Sequence, residues 1–280
     1  MPRLGVLGWP VAHSRSPAIH NAAFSALGMH GWRYQLLPVP PALFEQTTLA
    51  LAQSGFLGAN VTIPHKHAAL ALATQASDAA RQIGAANTLT FAADGTIAAE
   101  NTDAPGLIAA LARLPDMPAQ PRVLILGAGG SARAAAWALR EAGASEVSIW
   151  NRTPERARAL AHDLSLRAVA EPEPADVLVN CTSVGLHERD VERSATDSEA
   201  LNQLRLTFDQ VGEYSYVVDF VYRSGSTPLL AAAKAHGAGT VDGLEILIAQ
   251  GALSLESWTG RKAPVDVMRQ AFLEPEQAPG

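Results

Sequence analysis

A chain of 280 residues can form one large domain or two smaller ones, each with a full core, and 48% hydrophobic against 17% charged residues is too apolar for disorder. The net charge of −6 comes without a basic block or stripe, so the electrostatic footprint of a nucleic-acid binder is missing. One cysteine, Cys181, can make neither an internal disulfide nor a cysteine-rich metal site, Met1 to Val11 lacks the pattern of a signal peptide, and no uncharged apolar run is long enough to span a membrane; the expected compartment is the cytoplasm.

In chain order, Leu4–Leu7 reads as a strand and Ala18–Leu27 as a helix, with Ser16 as its N-cap and Pro17 at the first helical position. Tyr34–Pro38 is a strand, Pro41–Gln53 a helix and Gly58–Ile63 a strand. Helices are expected over His65–Leu72 and Ser77–Ile83. Asn87–Ala92 and Thr96–Glu100 form a hairpin around the turn dipeptide Asp94-Gly95. A helix over Asp103–Leu114 leads into Pro115–Pro121, a proline-rich candidate linker. Beyond it, strands Arg122–Leu126, Glu146–Trp150, Asp176–Asn180 and Tyr216–Phe220 alternate with helices Ser131–Ala142, Pro154–Leu164 and Thr227–His236. His187–Gly212 is polar and irregular, with room for a short helix and a mobile surface loop. Helices Gly243–Thr259 and Val265–Phe272 close the chain, and the tail from Glu274 should fray. Strands alternating with helices imply parallel sheets covered on both faces, and the linker implies two of them with a cleft between.

Gly127-Ala128-Gly129-Gly130-Ser131-Ala132 fits the pattern G-x-G-x-x-A between a strand and a helix. The first glycine permits a tight turn and the second lets backbone approach a pyrophosphate. The small Ala132 allows close helix–strand packing, and the helix start offers free N–H groups. The next strand ends in Trp150-Asn151-Arg152-Thr153-Pro154-Glu155-Arg156, where an NAD site would carry an acid. Arg152 and Arg156 there suit a 2′-phosphate, so the expected cofactor is NADP. The plainer reading is a solvated helix start, but cations at a helix N-terminus oppose its dipole.

In the first half, Ser14 and Ser16 stand just ahead of a helix and make a carboxylate cradle, unless Ser16 only caps. Asn60 to Lys66 ends a strand, and Gly84–Thr88 and Asn101–Asp103 adjoin two more. Only three of the 21 basic residues are lysine, and Lys66 is one. Unlike arginine, a lysine can give up its proton. With Asp103 it makes a pair suited to alcohol oxidation, where a proton must leave as hydride departs. Taken singly, Lys66 reads as a surface lysine and Asp103 as a helix cap. His13, His20, His65 and His67 read as packing or capping groups, and no metal-ligand spacing is visible.

Together these strings resemble the shikimate dehydrogenase family along essentially the whole chain: His13–Pro17, Asn60–Lys66, Gly84–Thr88, Asn101–Asp103, Gly127–Ala132, Asn151–Thr153, Asn180–Gly185, Tyr222 with Thr227–Leu230, and Gln250. The resemblance implies reversible reduction of 3-dehydroshikimate to shikimate with NADPH, a step of chorismate and aromatic amino-acid biosynthesis. It implies Lys66 and Asp103 as the catalytic pair, and Ser14, Ser16, Thr62, Asn87, Tyr222 and Gln250 around the substrate. For NADP it implies Gly127, Ala128, Gly129, Gly130, Ser131, Ala132, Asn151, Arg152, Thr153, Arg156, Thr182, Val221 and Gly243. The implied α/β fold has an open substrate domain (1–114), a doubly wound Rossmann-type domain (121–241) and C-terminal helices (242–280) that return to the first domain. Members occur as monomers and homodimers. Leu186, Ser224 and Glu245-Ile246 depart from the commonest pattern, and Ser224 could loosen the turn that holds Tyr222. Ser16 and Arg152 speak against an NAD-dependent quinate/shikimate dehydrogenase. Lys66 and Asp103 speak against a non-catalytic NADP-binding regulator, and the paired serines against a methylene-tetrahydrofolate dehydrogenase.

Overall fold

The computed structural model describes residues 1–186, 197–223 and 225–274. The chain divides into two compact units, one of residues 1–106 and 247–280, the other of 107–246. Both division points fall inside helices, Asp103–Leu111 and Gly243–Thr259, rather than in the proline-rich segment 115–121. Leu114 and Met117, at and within that segment, pack on the core of the second unit.

The first unit holds strands β1 (Arg3–Gly8), β2 (Arg33–Pro38), β3 (Gly58–Val61), β4 (Gln75–Ala76), β5 (Thr88–Phe91) and β6 (Ile97–Glu100), in the order β2-β1-β3-β5-β6-β4. The pairs β1·β2, β1·β3 and β4·β6 are parallel, whereas β5 runs antiparallel to both neighbours. The all-parallel expectation therefore fails for this sheet. The hairpin at Asp94-Gly95, where Asp94 Oδ1 accepts from Thr96 N at 2.9 Å, reverses the chain in a way no crossover could. Helices α1 (Ser16–Ala26), α2 (Phe44–Gln53), α3 (Lys66–Leu72) and α4 (Asp78–Ile83) cover it, and α5 (Asp103–Leu111) leads out. A single 3₁₀ turn, Pro41–Leu43, precedes α2.

The second unit is parallel throughout. Its strands β7 (Arg122–Leu126), β8 (Glu146–Trp150), β9 (Arg167–Ala168), β10 (Val177–Asn180), β11 (Tyr216–Asp219) and β12 (Gly239–Val241) run in the order β12-β11-β10-β7-β8-β9. That is the doubly wound order, with its switch point between β7 and β10. Helices α6 (Gly130–Glu141), α7 (Pro154–Asp163), α8 (Asp197–Gln203), α9 (Phe208–Val211) and α10 (Pro228–Ala235) complete it. Buried Ala132, Ala135 and Ala136 let α6 sit close on the β7 and β8 core residues Val123, Ile125, Val147 and Ile149. Two helices fall within the polar stretch 187–212; the surface loop expected over its start, the fraying tail after Glu274 and the turn at Ser224 lie outside the described residues.

Helices α11 (Gly243–Thr259) and α12 (Val265–Leu273) bring the C-terminus back to the first unit. There α12 packs on α1, and the Arg15 guanidinium donates to the carbonyls of Phe272 and Glu274 at 3.0 and 2.7 Å. Where α1, β2 and α11 meet, His20 stacks on Tyr34 at 4.3 Å and 5°, with Trp258 tilted against it at 5.8 Å. Asn21 fixes the contact by bracketing the backbone of Tyr34, donating from Nδ2 and accepting at Oδ1, each at 2.9 Å.

His20 is fully buried and neither ring nitrogen has a partner among the described residues; burial lowers its pKa to about 3. The folded chain therefore holds His20 neutral. The unfolded chain takes up a proton there near 6.5, so this contribution to stability is complete above that pH and is lost as pH falls toward 3. For His20→Phe, urea titrations should show the variant gaining about 3 kcal/mol on the parent between pH 7 and pH 4. A constant difference across that range would contradict a buried neutral histidine.

Candidate active site

Lys66 opens α3 and Asp103 opens α5, each behind the end of a strand. Lys66 Nζ donates to Asp103 Oδ2 at 2.6 Å, and both side chains are 9% exposed. Neither residue takes its plainer role. Lys66 is buried, and the helix-cap duty at α5 belongs to Asn101, whose Oδ1 accepts from Ala104 N at 3.2 Å.

Asn87 holds the second oxygen of Asp103, donating from Nδ2 to Oδ1 at 3.0 Å. The same amide lies within donating distance of Thr102 Oγ1 at 2.9 Å and Gln250 Oε1 at 3.2 Å. Its own oxygen accepts from Thr102 N at 2.7 Å, which sets the orientation of the side chain. Gln250 arrives on α11, and Ser254 follows one turn later on the same face. Ser254 Oγ shares hydrogen bonds with Thr88 at 2.9 Å and Thr102 at 3.1 Å and accepts from Asn60 Nδ2 at 2.9 Å. Asn60 Oδ1 in turn accepts from Tyr34 OH at 2.7 Å. Every one of these groups is buried, so an unpaired one would cost about 1–3 kcal/mol. The return of α11 thus closes a polar layer behind the Lys66–Asp103 pair. Thr88, Thr102, Asn60 and Ser254 were not among the expected site residues. Three of them stood in the strings that carried the resemblance, and Ser254 was marked only by its i+4 spacing from Gln250.

Ser14 and Ser16 lie at the start of α1. Ser14 Oγ donates to Ser16 Oγ at 3.2 Å and also accepts from Ser16 N at 3.3 Å. Ser16 is the first residue of the helix and makes no side-chain cap, which corrects its reading as the N-cap. Its hydroxyl is left for another acceptor. Thr62 sits in the turn that follows β3, its N–H donating to Leu7 O at 2.8 Å and its methyl packed toward Gly8. Of the histidines, His65 stacks on Phe44 and lies 2.7 Å from Val39 O, and His67 lies 2.8 Å from Gly84 O; both are structural.

In the second unit the glycine loop follows β7. Gly127 has φ +113°, a conformation that disfavours side chains, and an added Cβ would meet Cys181 O at 3.1 Å. Gly129 faces open space and, as the N-cap of α6, places no side chain over the helix start. At the end of β8 the Asn151 side chain donates to Thr153 O at 2.9 Å. The exposed guanidinium groups of Arg152 and Arg156 make no ion pair among the described residues, while Glu155 is engaged by Arg158 at 2.7 Å. A turn that admits backbone contact, a helix start with no side-chain cap and two guanidinium groups without an ion pair among the described residues together fit a dinucleotide bearing an extra phosphate. Thr182 donates to Asn180 Oδ1 at 2.7 Å, Val221 is buried, and a Cβ on Gly243 would strike Phe220 O at 2.5 Å. Tyr222 also belongs to this unit. Of the departures, Leu186 is half-buried and Glu245 pairs with Arg113.

Residues 6–89 match the model of the shikimate dehydrogenase substrate-binding domain, 110–209 that of shikimate/quinate 5-dehydrogenase, and 243–271 that of the shikimate 5′-dehydrogenase C-terminal domain. The NADP(+)-type shikimate dehydrogenase of Symbiobacterium thermophilum is 42% identical, over 96% of this chain and 93% of its own. The chain belongs to the shikimate dehydrogenase family. Its counterpart from Methanothermobacter thermautotrophicus is 40% identical over 96% of this chain and 94% of its own. The shikimate 5-dehydrogenase of Thermus thermophilus, solved with NADP(H) and shikimate, superposes with a TM-score of 0.84 at 40% identity, covering 97% of this chain and 98% of that one.

Within this shikimate dehydrogenase fold, the buried pair sets a stability test. Lys66→Met leaves the Asp103 carboxylate without its cation and should cost about 3 kcal/mol in urea denaturation at pH 7. Asp103→Asn should cost less, since Asn87 can still donate to the new amide oxygen. Unchanged stability in Lys66→Met would mean that solvent reaches the pair freely.

Proposed function

We propose that this chain catalyses the reversible NADPH-dependent reduction of 3-dehydroshikimate to shikimate, a step in chorismate and aromatic amino-acid biosynthesis, with substrate-binding residues mainly in the first unit and NADP in the second. The observation that carries the reading is the buried Lys66–Asp103 contact of 2.6 Å with Asn87 on its second oxygen. It is the arrangement expected of a group that hands a proton to a substrate oxygen and takes it back.

The roles of the residues follow from what each has free. Ser14 and Ser16 take the substrate carboxylate at the start of α1. Thr62, Asn87 and Gln250 hold ring hydroxyls, and Tyr222 offers a further donor to the substrate. Lys66 Nζ donates its proton to the carbonyl oxygen at C3 and, in the oxidative direction, receives it from the hydroxyl. Asp103 aims the ammonium group and balances its charge, and Asn87 keeps Asp103 from turning. NADPH, when bound, supplies the hydride that the carbonyl carbon accepts. Gly127 to Ala132 receive its pyrophosphate, Arg152 and Arg156 with Asn151 and Thr153 its adenosine 2′-phosphate, and Thr182, Val221 and Gly243 its nicotinamide end. The choice of NADP(H) and shikimate as ligands is supported by the Thermus relative, which was solved with both. No described helix is long and apolar enough to cross a membrane, and with the lone Cys181 this fits a cytoplasmic enzyme with a small-molecule substrate.

Nicotinamide absorbance with shikimate tests the proposal, with NADP and NAD as cofactors and quinate as rival substrate. Fast turnover is expected only for shikimate with NADP. Arg152→Ala should raise the KM for NADP about tenfold or more, the worth of one charge-assisted hydrogen bond, and leave the poor use of NAD unchanged. Equal rates with quinate or NAD would transfer the chain to the quinate/shikimate type. NADP binding without any turnover would make it a regulator.

A further inference from the structure

Asp219 ends β11 with no surface exposed, and no cation pairs with it among the described residues. Three donors converge on it instead. Asn180 Nδ2 and Val221 N donate to Oδ1 at 2.9 and 3.0 Å, and Thr227 Oγ1 donates to Oδ2 at 2.7 Å. Each donor belongs to a different piece of the strand-end surface. Asn180 closes β10, and its oxygen accepts from both the N–H and the hydroxyl of Thr182, at 3.0 and 2.7 Å. The Thr182 hydroxyl then accepts from Val184 N at 3.1 Å. Val221 immediately precedes Tyr222. Thr227 caps α10 by accepting from Leu230 N at 3.2 Å. A Cβ on Gly127 would meet Cys181, so the glycine loop abuts the same β10 end.

A fully buried carboxylate without a cation is an expensive way to join three segments. Burial, with Asp242 nearby, outweighs the downward pull of the three donors and raises its pKa to about 6. A neutral side chain of the same size cannot accept at both ends, and here all the donors point inward. We propose that Asp219 is a positioning residue, a clamp whose two carboxylate oxygens set Thr182, Val221 and Tyr222 in register for the nicotinamide and the substrate. The inference rests on the proposed contacts of those three residues. It adds a reason for the run Asp219-Phe220-Val221-Tyr222, in which only Val221 and Tyr222 were expected to matter.

The test uses Asp219→Asn, Thr227→Val and Thr227→Ser in the full chain. Asn keeps the oxygen for Asn180 and Val221 but turns an NH₂ toward the Thr227 hydroxyl. Val removes that hydroxyl, and Ser retains it. Calorimetric titration with NADPH and steady-state kinetics with shikimate are read beside thermal melting. In Asp219→Asn and Thr227→Val, kcat/KM should fall about tenfold or more and NADPH should bind more weakly, out of proportion to any change in melting temperature, while Thr227→Ser stays near the parent. Parental kcat/KM and NADPH affinity in both of the first two variants would overturn the inference, as would Thr227→Ser failing as badly as Thr227→Val. Should Asp219→Asn fail to fold, Thr227→Val against Thr227→Ser decides. If the parent chain itself does not turn over shikimate, the proposed function fails, and the NADPH titrations still decide the clamp.

Discussion

An ammonium and a carboxylate taken out of water must be held together well or not at all, and the Lys66–Asp103 pair imposes that condition on the first unit. Their contact of 2.6 Å is worth its desolvation only if the remaining lone pairs and protons are also satisfied. Asn87 meets one of those needs, Thr102 and Gln250 fix Asn87, and Ser254 joins that group to Asn60 and Tyr34. The polar layer cannot be completed by residues 1–106 alone. It needs α11, which explains why the chain leaves this unit, builds the other, and returns.

The second unit solves the corresponding problem without a cation. Its doubly wound sheet brings the ends of β7, β10 and β11 together beside the switch point. Gly127 makes the turn at that edge with φ +113°, and Asp219 ties down the segments that follow β10 and β11. In both units a carboxylate at a strand or helix end acts as the fixed point. In the first it faces a lysine; in the second it faces, among the described residues, neutral donors alone.

Much of this was legible in the sequence, because strand ends carry the chemistry and strand cores carry the periodicity. The strings around Lys66, Asp103 and Gly127 stood where predicted strands stop, which is where open α/β sheets place their sites, and Asn87 stood where a strand of the hairpin begins. The runs of Val, Ile and Leu marked β7, β10 and β11. What escaped were the sheet edges: β4, β9 and β12 have two or three residues each, too few for alternation to register. The mixed direction of the first sheet was implicit in the Asp94-Gly95 hairpin, yet the strand–helix alternation around it pointed the other way. Ser16 was misjudged as a cap because a serine before Pro17 reads as one, whereas the helix begins one residue earlier and the Ser16 hydroxyl accepts from Ser14 instead. Asp219 and Ser254 gave little warning, since their meaning lies in contacts between elements far apart in the chain.

Lys66 is proposed here to act as a proton carrier and not merely as a fixed positive charge. Lys66→Arg separates the two, because a guanidinium keeps the charge and cannot release its proton. The measurement is kcat for shikimate oxidation in this variant, beside its KM for shikimate and its melting temperature. A carrier role requires kcat to fall about a hundredfold or more while shikimate still binds and the fold is kept. If Lys66→Arg retained most of the parental kcat, the lysine would be an electrostatic anchor and the proton would travel by another route.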